Sequence, residues 1–351
     1  MGLRITFVLP QMSLSGGNKV TLTYADGLAA RGHDVSVVHG QLTRLKDRIS
    51  AWSFRRGADV HRPGSKVRIL PVRGVPTDLT SFLPDADILI ASWWETMEAV
   101  SMAPPSKGVK IHHVQDHEVF PYLPTRSAAV YRLPIPKIAV SRWLADLMRD
   151  TYGSNEVSLV VNPVDIGRFP WTGRTRAEAP MVGTVFSAAS RKNSAMAFEA
   201  VEIARKRIPD LKLLCFGAER LPKAFAKLPF VEFHHKPAQE AIPDLYRRCN
   251  AWLFTSESEG FGLPILEAMA VGTPVIATHA GAAPDLVSAR TGVLVGLNPG
   301  DMADAICRLF TLSEAEWRAM GRNCRAVAER HDVNSAVEQF EAVLLNHGRR
   351  P

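Results

Sequence analysis

Short apolar runs alternate with amphipathic stretches along the whole chain. In the first half "RITFVLP" (4–10) is followed by the helix-like "NKVTLTYADGLAARG" (18–32), then by the runs 34–40, 66–72, 86–92, 109–115, 137–141 and 156–162. Apolar runs of this length, separated by helices, predict a parallel sheet covered on both faces. The stretch 162–180 is polar, aperiodic and contains Pro and Gly, which marks a linker. A second series then begins at 181–187, with strands predicted at 211–217, 251–256, 274–278 and 292–296. Helices are predicted at 194–207, 239–249, 263–271, 301–310, 314–330 and 335–346. The pattern is α/β in two halves of similar size, so ligands are expected in a cleft at the carboxyl ends of the strands.

Composition adds limits rather than a function. The chain has 351 residues, enough for two cores, with 46% hydrophobic and 22% charged residues. Its four cysteines, Cys215, Cys249, Cys307 and Cys324, are far apart and form no C-x-x-C pair, which suits a reducing compartment without disulfides or zinc. No run approaches a membrane span, and the first residues read as a strand rather than a signal peptide. A cytoplasmic protein is expected. The formal charge is +7, and nine Lys/Arg fall between Arg44 and Arg73 against two Asp, with Trp52 and Phe54 among them. This patch reads either as a solvated basic loop or as a surface for an anionic membrane or acceptor, which would place the protein peripherally on the inner face of the membrane. No nucleic-acid-binding motif accompanies it.

The chemistry concentrates in "SESEGFGLPILEAMAVGTPVIAT" (256–278). An apolar strand ends here, a Gly-rich turn follows, and a helix former begins at Leu263. Pro264 is tolerated near the first helical position because its missing N–H has no intrahelical partner there. The free N–H groups around Phe261, Gly262 and Leu263 then face an anion with the helix dipole behind them. Glu259 and Glu267, with seven residues between them, bracket this turn. Carboxylates accept hydrogen bonds from hydroxyls, so a ligand with sugar hydroxyls at two places and phosphate between them fits: a nucleotide sugar. Two further anion-binding elements are "SGG", giving Gly16 and Gly17 after the first strand, and Arg191–Lys192 after the strand 181–187.

These residues resemble the E-x7-E signature of retaining nucleotide-sugar glycosyltransferases of family 4, which have the GT-B fold. "SLSGGNKVTLTYADGLAARGHDVSVV" (13–38), "IAVSRWLADLM", "VVNPVDIGRF" and "TGVLVGLNPGDMADAI" are similar to further segments of that family. The resemblance implies two Rossmann-like domains with parallel sheets facing across a cleft. An acceptor-side domain would span 1–165, completed by the C-terminal helix within 335–351, and a nucleotide-sugar domain would span 166–334. It implies that Glu259 holds donor-sugar hydroxyls and Glu267 the ribose diol. The backbone at Phe261, Gly262 and Leu263 would meet the sugar and distal phosphate, and Gly16 and Gly17 would let backbone approach the diphosphate. Lys192 matches the family's phosphate-binding Lys. Thr184 stands where the family carries an Arg, and Arg191 is the candidate replacement. "VQDHE" (114–118) is similar to a subgroup containing bacterial rhamnosyltransferases of surface polysaccharides, which makes Gln115 and Asp116 sugar- or acceptor-facing groups. His113 and His117 suggest a metal only weakly, and no metal is expected.

The implied reaction is metal-independent, retaining glycosyl transfer of a hexosyl or deoxyhexosyl group from a nucleotide diphosphate sugar to an acceptor hydroxyl. The donor is a substrate, no cofactor is expected, and the acceptor would be a carbohydrate or a lipid-linked group in bacterial polysaccharide or glycolipid assembly. Glu259, Lys192, Gln115 and Asp116 are the candidate catalytic residues. The alternatives are a sugar-nucleotide epimerase of the same architecture and a non-catalytic sugar-nucleotide-binding partner. A dinucleotide oxidoreductase would need G-x-G-x-x-G after the first strand, where this chain has "SLSGGNKV".

Overall fold

The strand Arg4–Leu9 (β1) is buried from Ile5 onward, on both faces, which places it inside a sheet rather than at an edge. The computed structural model describes residues 2–12, 15–41, 64–73, 81–177 and 179–348. β1 pairs in parallel with Asp34–Gln41 (β2) on one side and Ile88–Ala91 (β4) on the other. Arg68–Arg73 (β3), Val109–Val114 (β5), Lys137–Ala139 (β6) and Val157–Leu159 (β7) complete a seven-stranded sheet of order β3-β2-β1-β4-β5-β6-β7. That is the doubly wound order, whose reversal next to β1 is where such sheets bind ligands. The helices Gly16–Ala30 (α1), Trp94–Ser101 (α2) and Arg142–Asp150 (α3) connect these strands.

The second sheet has order β10-β9-β8-β11-β12-β13, built from Met181–Val185 (β8), Lys212–Gly217 (β9), Val231–His235 (β10), Ala251–Phe254 (β11), Val275–Thr278 (β12) and Gly292–Val295 (β13). All its pairings are parallel. Its helices include Ser194–Ala204 (α4), Ile242–Arg247 (α5), Leu263–Ala270 (α6), Pro299–Phe310 (α7) and Glu314–Glu329 (α8). α4 and α7 share one core, in which Met196, Ala197, Ala200 and Val201 join Met302, Ala303 and Ile306 over Leu213 and Leu253. Both sheets with their covering helices are Rossmann-like.

The chain divides into two compact units, Met1–Asn162 with Val333–Pro351, and Pro163–Asp332. The return to the first unit is made by Val333–Gly348 (α9), which buries Ala336, Val337, Phe340 and Leu344 at helical spacing. Phe340 stacks on Tyr24 of α1 at 4.2 Å between ring centroids. Gly27 permits the approach, since an added Cβ would lie 2.4 Å from Val337. On the same helix Glu341 accepts from Arg31 Nε and pairs with His33 Nε2, both at 2.7 Å.

The stretch expected to be a linker is anchored instead. Arg168 donates to the Gln239 carbonyl at 2.6 Å, Arg174 to the Cys249 carbonyl at 2.7 Å, and Arg325 of α8 reaches back to the Phe169 carbonyl at 2.9 Å. Of the basic patch, Arg44, Lys46, Arg48, Arg55, Arg56 and Arg62 lie outside the described residues. Arg68 is described and pairs with Asp34 at 3.0 Å across β2 and β3.

Candidate active site

β11 ends at Phe254, and the turn to α6 is fixed by hydrogen bonds to its neighbours. Thr278 Oγ1 donates to the Ser256 carbonyl at 2.5 Å, and Ala282 N donates to the Phe261 carbonyl at 2.8 Å. Gly262 caps α6 at φ 99°, in the left-handed region, where an added Cβ would also lie 2.8 Å from the Phe254 ring. Leu263 opens the helix and Pro264 follows within its first turn. Pro264 has no N–H and Ile265 N donates to the Gly262 carbonyl at 3.0 Å, which leaves the Leu263 N–H at the helix start, where the helix dipole puts partial positive charge. Glu267 lies one turn further on, half-buried. Phe261, Gly262, Leu263 and Glu267 therefore belong to one rigid loop–helix unit.

Glu259 is 7% exposed and well supplied with partners. Its Oε1 accepts from Lys192 Nζ and from Ser256 Oγ, the latter at 2.9 Å. Arg191 Nη1 is 3.9 Å from its Oε2 and donates to the Ser258 carbonyl at 3.4 Å. The two cations arrive on the single 3₁₀ turn Ser190–Lys192, which Asn193, in the left-handed region at φ 45°, joins to α4. Backbone bonds dock this turn on the other loop: Glu257 N donates to the Arg191 carbonyl at 2.8 Å, and Thr255 Oγ1 to the Lys192 carbonyl at 3.0 Å. The structure thus brings Arg191, Lys192 and Glu259 together. A carboxylate this buried is tolerable because opposite charge and hydrogen bonds surround it. Thr184 is buried in β8 and its hydroxyl donates to the Leu253 carbonyl at 3.0 Å. It ties two strands together, and Arg191 is the cation that stands at the loop.

Sequence reasoning missed the partner of Glu267. Tyr246, at the end of α5, is fully buried and its hydroxyl donates to Glu267 Oε2 at 2.7 Å. Burial, reinforced by the adjacent carboxylate, holds its phenol well above the usual range, so it stays a donor. Residues 231–247 form the strand β10, a 3₁₀ turn and α5. The signal for β10 was the alternation in "VEFHH", which its charged and imidazole side chains obscured.

In the first unit Gly16 and Gly17 are the first two residues of α1, behind the cap Ser15, whose hydroxyl accepts from Asn18 N. The helix, expected from residue 18, thus takes in both glycines. A Cβ on Gly17 would lie 2.8 Å from Gln115 Oε1, so the structure brings these two residues together. Gln115 Nε2 donates to Thr21 Oγ1 at 2.8 Å and lies 3.3 Å from His113 Nδ1. Gln115 Oε1 and His113 Nε2 are buried atoms without a hydrogen-bond partner. Burial drives His112 and His113 down to about 3, so both rings are neutral. Asp116 Oδ1 accepts from His117 N at 2.9 Å, and His117 Nε2 meets the Tyr152 hydroxyl at 2.7 Å. Among the described residues no group of three or more His, Cys, Asp or Glu is placed to hold a metal ion.

Glu118 also escaped the sequence reading. It is 3% exposed, and its Oε2 accepts from Trp94 N at 2.6 Å, capping α2. Burial raises its carboxyl well above the usual range. Glu118 N donates to the Tyr131 hydroxyl at 2.8 Å, which in turn donates to the Asp116 carbonyl at 3.2 Å. Asp116 and Glu118 thereby fix the course of the chain after β5.

Residues 179–311 match the family model described as glycosyl transferases group 1. The chain is 31% identical over 161 residues to the sulfoquinovosyl transferase SQD2 of Arabidopsis thaliana, covering 42% of this chain and 31% of that protein. It is 38% identical over 166 residues to a D-inositol 3-phosphate glycosyltransferase of Paenarthrobacter aurescens, covering 43% of this chain and 39% of that one. The aligned region is thus about a third of the length of these curated relatives. A crystal structure of Anabaena HepE in complex with UDP and glucose superposes with a TM-score of 0.77 at 17% identity, covering 98% of this chain and 100% of that one. Likeness at that identity speaks for the fold. No helix among the described residues is long and apolar enough to cross a membrane. Residues 179–311, the stretch that matches the glycosyl transferases group 1 model, carry the Glu259–Glu267 loop–helix unit and the Arg191–Lys192 turn, on a chain of GT-B fold.

Proposed function

We propose that this protein transfers a glycosyl group from a nucleoside diphosphate sugar to an acceptor hydroxyl, with retention at the anomeric carbon. The observation that carries the reading is the loop–helix unit, in which Glu259 and Glu267 stand on either side of the α6 N-terminus while Lys192 and Arg191 stand beside Glu259. Diphosphate oxygens go to the cations and to the backbone N–H of Leu263 at the start of α6. Glu267 takes the ribose diol and Glu259 takes hydroxyls of the transferred sugar. The UDP in the Anabaena HepE complex and the sugar transferases among the relatives are in keeping with such a donor.

Catalysis on this reading rests on positioning and on stabilising the departing diphosphate. Lys192 is central. It is paired with Glu259, and on this reading donor phosphate is its second anionic partner. Arg191 supplies the second cation in place of Thr184, whose hydroxyl is committed to the Leu253 carbonyl. No divalent metal takes part. Gln115, beside Gly17 and with its Oε1 unpartnered, accepts from a sugar or acceptor hydroxyl. Asp116 sits at the same strand end. The resemblance of "VQDHE" points to a deoxyhexosyl or hexosyl donor and to bacterial surface polysaccharide or glycolipid as the product, at a cytoplasmic or inner-membrane location.

The test is mass-spectrometric turnover of UDP-, GDP- and dTDP-sugars with and without carbohydrate and lipid-linked acceptors. Transfer that requires an acceptor, with the anomeric configuration kept by NMR, is the expected result. An isomerised sugar nucleotide formed without acceptor identifies an epimerase. Binding without turnover identifies a non-catalytic partner.

A further inference from the structure

The carboxylate of Glu267 is held from behind by a chain of buried groups. Tyr246 is fully buried, with its ring centroid 4.1 Å from that of Trp252 and edge contacts to Phe216 and Phe169 at 5.7 and 6.0 Å. Its carbonyl accepts from Thr273 Oγ1 at 3.0 Å. Thr273, 0% exposed, follows Gly272, the left-handed residue that ends the α6 turn at φ 76°. The same Thr273 oxygen accepts from Arg174 Nη2 at 2.7 Å. Arg174 also binds the Cys249 carbonyl at 2.7 Å and the Arg247 carbonyl, and its guanidinium lies 4.9 Å from the Trp317 ring centroid. One polar strut therefore runs Arg174–Thr273–Tyr246–Glu267, with aromatic rings against Tyr246 and Arg174.

A glutamate side chain has many rotamers, and ordering it at the moment of binding opposes affinity. Here the ordering is built in beforehand. A carboxylate oxygen has two lone-pair directions, so the bond from Tyr246 leaves acceptor capacity for a ligand. We propose that Tyr246 is the positioning residue for Glu267, and that by fixing this carboxylate it makes the site select ribonucleoside diphosphates over their 2′-deoxy counterparts. The inference rests on the reading above that Glu267 takes the ribose diol. The selectivity follows from the cost of leaving an oriented acceptor unpaired: an analogue lacking the 2′-hydroxyl cannot satisfy a carboxylate that is not free to turn elsewhere. A mobile carboxylate would turn to water and discriminate little.

The experiment is calorimetric titration of UDP, 2′-deoxy-UDP, GDP and 2′-deoxy-GDP into the wild type, Tyr246→Phe and Glu267→Gln. For the base that binds, the wild type should prefer the ribonucleotide by about tenfold or more, the scale of a hydrogen bond to a charged group. Tyr246→Phe removes a hydroxyl and keeps the ring. The preference should fall to about threefold or less, chiefly through weaker ribonucleotide binding, on the same scale. Thr273→Val, which releases the Tyr246 carbonyl, should move the ratio the same way by less, and it serves if Tyr246→Phe does not fold. A merely structural role would weaken both nucleotides alike and leave the ratio intact. A ratio kept in Tyr246→Phe, or in Thr273→Val where that variant serves, but lost in Glu267→Gln overturns this inference alone. A wild-type ratio near one, a ratio indifferent to Glu267→Gln, or no binding by any of the four overturns the reading of Glu267 itself.

Discussion

The two units carry their candidate residues in different states of readiness. In the second unit the charged groups are already partnered, with Lys192 and Arg191 beside Glu259 and Tyr246 on Glu267. In the first, Gln115 Oε1 and His113 Nε2 are buried without a partner. Buried polar atoms are rarely left so, and each such atom costs free energy on the scale of a lost hydrogen bond. The contrast indicates division of labour. On the function proposed, the second unit presents a pre-ordered set for the donor, while Gln115 Oε1 in the first keeps acceptor capacity for a ligand hydroxyl.

The largest effect should come from the frame of the first unit. Phe340→Ala empties the stack on Tyr24 and Phe7 and should destabilise that unit by about 3–5 kcal/mol. Hydrogen exchange should accelerate in β1 and remain unchanged in β8; equal acceleration in both would contradict the assignment of α9 to one core. Next comes the charged cluster. Lys192→Ala should lower kcat about 10²–10³-fold, as removal of a group that stabilises developing charge does. A kcat within a factor of two of wild type would remove Lys192 from the leaving-group side.

Gln115→Leu should cost about tenfold in kcat/KM while leaving nucleoside diphosphate affinity unchanged, the scale of one hydrogen bond. A comparable loss of UDP or GDP binding would merge the two sets that the comparison separates. A separate effect is on stability against pH. His112 and His113 titrate near 6.5 when unfolded and near 3 when folded. Below 6.5 the unfolded chain binds protons that the folded one refuses, so the first unit loses stability as pH falls from about 6.5 toward 3. Glu118, raised by burial, acts in the opposite sense above the ordinary glutamate value. His112→Phe should flatten the urea-midpoint slope between pH 6 and 4, roughly the span set by that linkage. An unchanged slope would show that His112 takes up its proton in the native state.

The sheets were legible because central parallel strands are apolar on both faces, as Ile88–Ala91 and Val275–Thr278 are. What was hidden depends on partners distant in sequence. α2 gives little sign of its start, since its cap is the carboxylate of Glu118, 24 residues on. The stretch 162–180 reads as a linker because nothing local reveals that Arg168 and Arg174 anchor it to carbonyls more than 70 residues away. α1 begins two residues before the predicted position because Ser15 caps it and two glycines, ordinarily poor helix formers, fill its first turn. The Glu259–Glu267 bracket was readable since its geometry is local, one turn and one helix start. Tyr246 lies 21 residues before Glu267, and only the fold joins them.

The central claim is that the loop–helix unit binds a nucleoside diphosphate sugar through its two carboxylates and their cations. The most direct measurement is calorimetric titration of Glu267→Ala and the wild type with UDP, GDP and dTDP. The wild type should bind at least one of them, and the variant, still folded by circular dichroism, should bind it about tenfold more weakly or worse. Equal affinity in the two proteins would contradict that claim.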